Sequence, residues 1–163
     1  MTSKRKYEDF SIGMALFDAV PVVLFSIAVF LIALRFQNGI FIAGALLCIC
    51  GGLGKVIWKI IIAATGRDIV PLNRQMRVLM PLGFLGMILG AATGMSRQSW
   101  LALGSRVVSF PAVIFFAVTV IGMSMMGVYA KKLDQTKIRS NWVEQITNTA
   151  AQACFLAGVL LCL

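Results

Sequence analysis

Two groups of residues in this chain could do chemistry, and both recur at helical spacing. Asn141, Gln145, Asn148 and Gln152 follow one another at intervals of four, three and four, with Glu144 flanking them. At 100° per residue they form one stripe about 100° wide. Each amide carries donors and acceptors that need partners, so in apolar surroundings the stripe must face other helices or a wet cavity. Cys48, Gly52, Lys55 and Lys59 have the same spacing, small at one end and cationic at the other. Asp18 lies inside a further apolar run, and Arg77 opens another. Two ammonium groups, a guanidinium and a row of amides suit a small anion, a carboxylate-bearing metabolite or a phospholipid headgroup. The residues of this candidate binding site are Asp18, Lys55, Lys59, Arg77, Asn141, Glu144, Gln145, Asn148 and Gln152.

Each feature has a plainer account. Lys55 and Lys59 can both snorkel to lipid phosphates. Asp18 can form a structural ion pair with either lysine. Asn141 followed three residues later by Glu144 resembles a capping box, with Asn in place of Ser or Thr. Capping leaves Asn148 and Gln152 unexplained, because they lie deeper in the segment.

Other chemistries are poorly supported. The run Gly51-Gly52-Leu53-Gly54-Lys55 superficially resembles a phosphate-binding loop, but Ile49 and Val56 stand where that loop needs Gly and Ser or Thr. The chain has no His, which removes the commonest general base and metal ligand at neutral pH. Cys48, Cys50, Cys154 and Cys162 sit in apolar runs without metal-ligand spacing and read as small, reduced, buried residues. There is no GxSxG and no closely spaced carboxylate pair in these runs. The sequence leans away from an enzyme, and no metal or cofactor is expected.

The elements that must position these groups follow from composition. Of 163 residues, 60% are hydrophobic and 13% charged. Soluble domains carry about 45–50% apolar and about 25% charged residues, so an ordinary soluble or disordered chain is excluded. A membrane-crossing helix needs about 20 mostly apolar residues. Five segments approach that, at about residues 11–34, 39–64, 77–95, 107–130 and 142–163. The fold expected is an all-α integral membrane protein, a five-helix transmembrane bundle forming a single domain over 1–163. The run Ile12 to Leu34 is too long for a signal peptide and reads as a retained first span. Pro21 lies deep in that span and should bend it, while Pro71 is placed to open the third helix.

The net charge of +9 has a topological explanation. Lys4, Arg5, Lys6, Arg67, Arg74, Arg77, Lys131, Lys132, Lys137 and Arg139 fall on one side of the five spans, against Arg35, Arg97 and Arg106 on the other. By the positive-inside rule the N-terminus is cytoplasmic and the C-terminus outside. Tyr7, Trp58, Tyr129 and Trp142 fall at the cytoplasmic boundary and Trp100 at the outer one, as an aromatic belt requires. This orientation gathers every intramembrane charge in the cytoplasmic leaflet. A cationic, amide-lined pocket open to the cytoplasm and closed outward by hydrocarbon is therefore expected.

Gly86, Gly90 and Gly94 add a helix-packing stripe of the small-xxx-small kind. It serves either packing within the chain or a homodimer face. The expected partners are the lipid bilayer with its anionic headgroups, a small polar or anionic solute, and a second copy or a partner membrane subunit. Nucleic acid is not expected, since topology already accounts for the basic residues. The location expected is a cell membrane, of the bacterial cytoplasmic kind. Three functions fit in decreasing order: transport or membrane-embedded binding of a solute, an accessory or assembly role in a larger membrane complex, and lipid modification.

Overall fold

The computed structural model describes residues 11–134 and 137–163. Lys4, Arg5, Lys6 and Tyr7, which carry part of the orientation argument, lie outside the described residues. Ser11 Oγ accepts the Met14 N–H at 3.1 Å and opens α1 (Ile12–Phe17). The helix breaks at Asp18 and resumes as α2 (Ala19–Phe36). Pro21 accounts for the break, because it has no N–H to bond the Phe17 carbonyl one turn back. The interruption falls on Asp18, whose backbone stays in the right-handed helical region (φ −65°, ψ −17°). Asn38 Oδ1 accepts the N–H groups of Ile40 and Phe41 at 2.9 and 3.1 Å, starting α3 (Gly39–Thr65). Gly66 ends that helix in the left-handed conformation, φ 69°, that a residue without Cβ adopts most easily.

Pro71 sits in the first turn of α4 (Val70–Arg74), and α5 (Met76–Gly94) follows directly, with Pro81 inside it. Next comes a helix that the sequence reading treats as a loop, α6 (Arg97–Val107), capped by Ser96 Oγ accepting the Ser99 N–H at 3.2 Å. The last two helices are α7 (Ala112–Lys132) and α8 (Ile138–Cys162). Five segments are long and apolar enough to cross a membrane: Ile12–Phe36, Gly39–Thr65, Val70–Gly94, Ala112–Lys132 and Ile138–Cys162. Among the described residues the fold is all-helical, with five helices long and apolar enough to span a membrane. The third segment starts at Val70, not Arg77, because Pro71 sets off helix before the apolar stretch does. The fourth starts at Ala112, not 107, and the fifth at Ile138, not 142.

The main packing partners run α5, α3, α1–α2, α8, α7 across the molecule. The α3–α5 contact is the closest. A Cβ on Gly44 would lie 2.6 Å from the Gly83 carbonyl oxygen, and one on Gly83 2.7 Å from the Gly44 carbonyl oxygen. Gly86 faces Gly44, Gly90 faces the Phe41 backbone, and Gly94 faces the Asn38 side chain. The glycine stripe is thus filled by the second span of the same chain, so a homodimer has no free use of that surface. Val29, Phe41, Ala45, Cys48 and Met87 form a core beside this seam. On the other side, Phe155 of α8 stacks on Phe25 of α2 at 6.3 Å and meets Phe116 of α7 edge-on at 6.5 Å. We call the end of the bundle holding residues 11–18, 65–70, 133–134 and 137–138 the near end, and the opposite one the far end.

Candidate functional site

The near end gathers most of the polar residues expected from the sequence. At 1.5 Å per residue α3 is about 40 Å long, some 10 Å more than the hydrocarbon core it crosses. Lys59, six residues before its end, therefore lies a few ångströms inside the apolar zone, and Lys55 about one turn deeper. Lys59 is 3% exposed, and its Nζ lies 3.1 Å from Asp18 Oδ1. With its amide oxygen turned toward α3, Gln145 accepts from Lys59 Nζ at 3.1 Å and donates through its nitrogen to the Met14 carbonyl at 3.2 Å. Lys59 thus joins α1, α3 and α8 in one closed network.

Lys55 makes a looser pair. Its Nζ lies 3.5 Å from Glu144 Oε1, long for a charge-assisted hydrogen bond, and its side chain is 20% exposed against 9% for Glu144. Charge in the network is balanced: Lys55 and Lys59 against Asp18 and Glu144.

Arg77 stands apart. It is exposed and makes no hydrogen bond or ion pair with the described residues, so the cationic excess that the sequence reading derives from it is absent. Lys59 does not snorkel, because its head is buried and paired within the bundle.

The amide stripe divides along α8. Gln145 belongs to the network. Asn141 is buried, and its Nδ2 donates to the Lys137 carbonyl at 3.1 Å. The capping-box account of Asn141 and Glu144 does not hold, because α8 begins at Ile138 and places both inside the helix. Gln152 is buried against α7, with Nε2 3.3 Å from Met123 Sδ. Asn148 is half-buried and makes no hydrogen bond among the described residues. The single stripe drawn from spacing therefore serves α3 at one height and α7 at another. A helix surrounded by neighbours can use its polar residues on more than one of them, which spacing alone does not reveal.

Several contacts escape sequence reasoning. Trp58 is buried, with Nε1 donating to Asp68 Oδ1 at 2.9 Å, so it is not a belt residue facing headgroups. Trp142 is partly exposed at the near end and packs on Phe17 at 5.4 Å between ring centres. Gly83 and Gly44 meet in a close helix approach but do not stand out as a motif. Cys50 is exposed and Cys154 half-buried, while Cys48 and Cys162 are buried as expected. The Gly51-Gly52-Leu53-Gly54-Lys55 run lies wholly inside α3, where Gly51 packs against Leu79 and Met80 and Gly52 against Val22. Comparison with known protein families, characterised proteins and solved structures finds no match for this chain.

Proposed function

We propose that the protein is a membrane-embedded binding protein or transporter for a small anionic or polar solute, recognised at the Lys55–Glu144 pair. The observation that carries this reading is the contrast between the two ion pairs. Lys59 is closed in, with Asp18 and Gln145 at hydrogen-bond distance. Lys55 has one distant carboxylate and the greater exposure. An ammonium group has three donors, so Lys55 can take a solute carboxylate or phosphate oxygen in place of, or beside, Glu144. Asn148 lies one turn beyond Glu144 on the same face of α8 and supplies an uncommitted amide. Exchange of partners at Lys55 loosens the link from α3 to α8, while Lys59, Asp18 and Gln145 keep the helices in register. The orientation that fits the basic residues puts this site in the cytoplasmic leaflet of the cell membrane.

Native mass spectrometry of the detergent-purified protein tests the reading, with succinate and inorganic phosphate as probes. Wild type retains a small anion, and Lys55→Met and Asn148→Leu both lose it. A bare protein in all three sinks the solute reading and favours an accessory or assembly subunit of a larger membrane complex.

A further inference from the structure

The far end holds a cavity of about 650 Å³ that the Lys55–Glu144 site does not use. Sequence reasoning places only closed hydrocarbon at this height. The cavity lies between α6, which packs on α7 and α8, and the neighbouring stretches of α2, α3, α7 and α8. Ser99, Ala102, Leu103 and Arg106 lie on one face of α6, and all line the cavity. Leu101, Gly104 and Ser105, on the other face, do not line it. Arg106 ties this roof to α8, its Nη1 donating to the Cys162 and Leu163 carbonyls at 2.8 and 3.3 Å.

The lining is divided by polarity. Phe36, Phe41, Phe116 and Phe155 form the walls, and each is buried or half-buried. Exposed side chains ring the mouth, among them Arg35 and Arg106. No Asp or Glu side chain lines the cavity; Arg106 is met in part by the Cys162 and Leu163 oxygens at the end of α8, while the Arg35 charge faces the cavity without a carboxylate. Arg35 makes no hydrogen bond or ion pair with the described residues. The volume falls within the roughly 300–1,000 Å³ typical of small-molecule sites. Guanidinium groups match phosphate oxygens in two-point contacts, and apolar walls opening beside a bilayer accept hydrocarbon.

The geometry points to a binding site for an anionic phospholipid from the surrounding leaflet, with an acyl chain among the four phenylalanines and its phosphate at Arg35 and Arg106. Charge complementarity selects the anionic lipid over a zwitterionic one, because no Asp or Glu side chain lines the cavity to meet a choline or ethanolamine group. The site is separate from the Lys55–Glu144 pair and stands whether or not a solute binds there.

The test is native mass spectrometry of the protein released from nanodiscs of mixed phosphatidylcholine and phosphatidylglycerol, with oleate added in a second arm. Phosphatidylglycerol is retained in preference to phosphatidylcholine. Arg35→Gln weakens that retention by about tenfold, the loss of one charge-assisted contact. Ala102→Trp, which fills the cavity without altering charge, abolishes it. Arg35 has no partner within the described fold, so its variant reads binding even if the bulkier substitution fails to fold. Lys55→Met leaves the adduct intact, which separates this site from the solute site. Equal retention of both lipids, an oleate adduct without phosphatidylglycerol, or an undiminished adduct in Arg35→Gln overturns the assignment.

Discussion

Replacing Asp18 with Asn removes one charge and almost no volume from the Lys59 network. At 3.1 Å the Coulomb attraction of this pair is about 5 kcal/mol for an effective dielectric constant near 20. The Lys55–Glu144 pair, at 3.5 Å, has nearly the same value by distance alone. Exposure decides between them: Lys59 is 3% exposed and Lys55 20%. Asp18→Asn leaves a buried ammonium whose direct partners are only amide oxygens, with Glu144 acting at longer range, which costs about 3–5 kcal/mol. Glu144→Gln leaves Lys55 with some access to water and costs roughly 1–2 kcal/mol, between the exposed and buried cases. Thermal unfolding in mild detergent reads the difference at roughly 2–4 °C per kcal/mol for a chain of this size. The double variant Asp18→Leu with Lys59→Met should recover most of the loss, since replacing a whole buried pair by apolar groups is often neutral or stabilising. Equal drops in Asp18→Asn and Glu144→Gln, or no recovery in the double variant, would refute the assignment of Lys59 as the closed half of the network.

Three further outcomes follow from particular contacts. Gly83→Val forces a side chain against the Gly44 carbonyl and Cys48 Sγ, so it should lower detergent stability by about 1–3 kcal/mol, while Gly127→Val, with open space beside it, should change little. Pro21→Ala supplies the N–H that α1–α2 lacks, so hydrogen exchange at residues 18–20 should slow; unchanged exchange means that something other than the proline breaks the helix. For the orientation, single cysteines at Gly66 and Ser96 in a cysteine-free background distinguish the two faces. An impermeant maleimide applied to intact cells should label the Ser96 position and spare the Gly66 position, and the reverse pattern inverts the topology.

How much of this was legible beforehand depends on the kind of constraint. The five spans follow from hydrophobic length, which tertiary contacts cannot alter, and the break in the first from a proline whose missing N–H acts locally. Lys55, Lys59, Asp18 and Glu144 stand out because a charge in hydrocarbon needs a partner. Which partner it finds is a tertiary matter: both lysines reach both carboxylates on paper, and only the α3–α8 and α1–α3 contacts assign Lys55 to Glu144 and Lys59 to Asp18. Arg77 illustrates the converse. Its place at the edge of an apolar stretch resembles that of Lys59, yet α5 packs mainly on α3 and Arg77 pairs with neither Asp18 nor Glu144. The far-end cavity was hidden for a different reason. Ser96 before Arg97, with Trp100, Leu103 and Val107 at helical spacing, is a readable amphipathic helix. Its eleven residues are too few to span a membrane, and a search for spans passes over them. A polar group inside a span therefore reveals itself by its cost in lipid, whereas a cavity is made by what two elements leave unfilled between them. The first can be read residue by residue; the second exists only once α6 has packed on α7 and α8 beside α2 and α3.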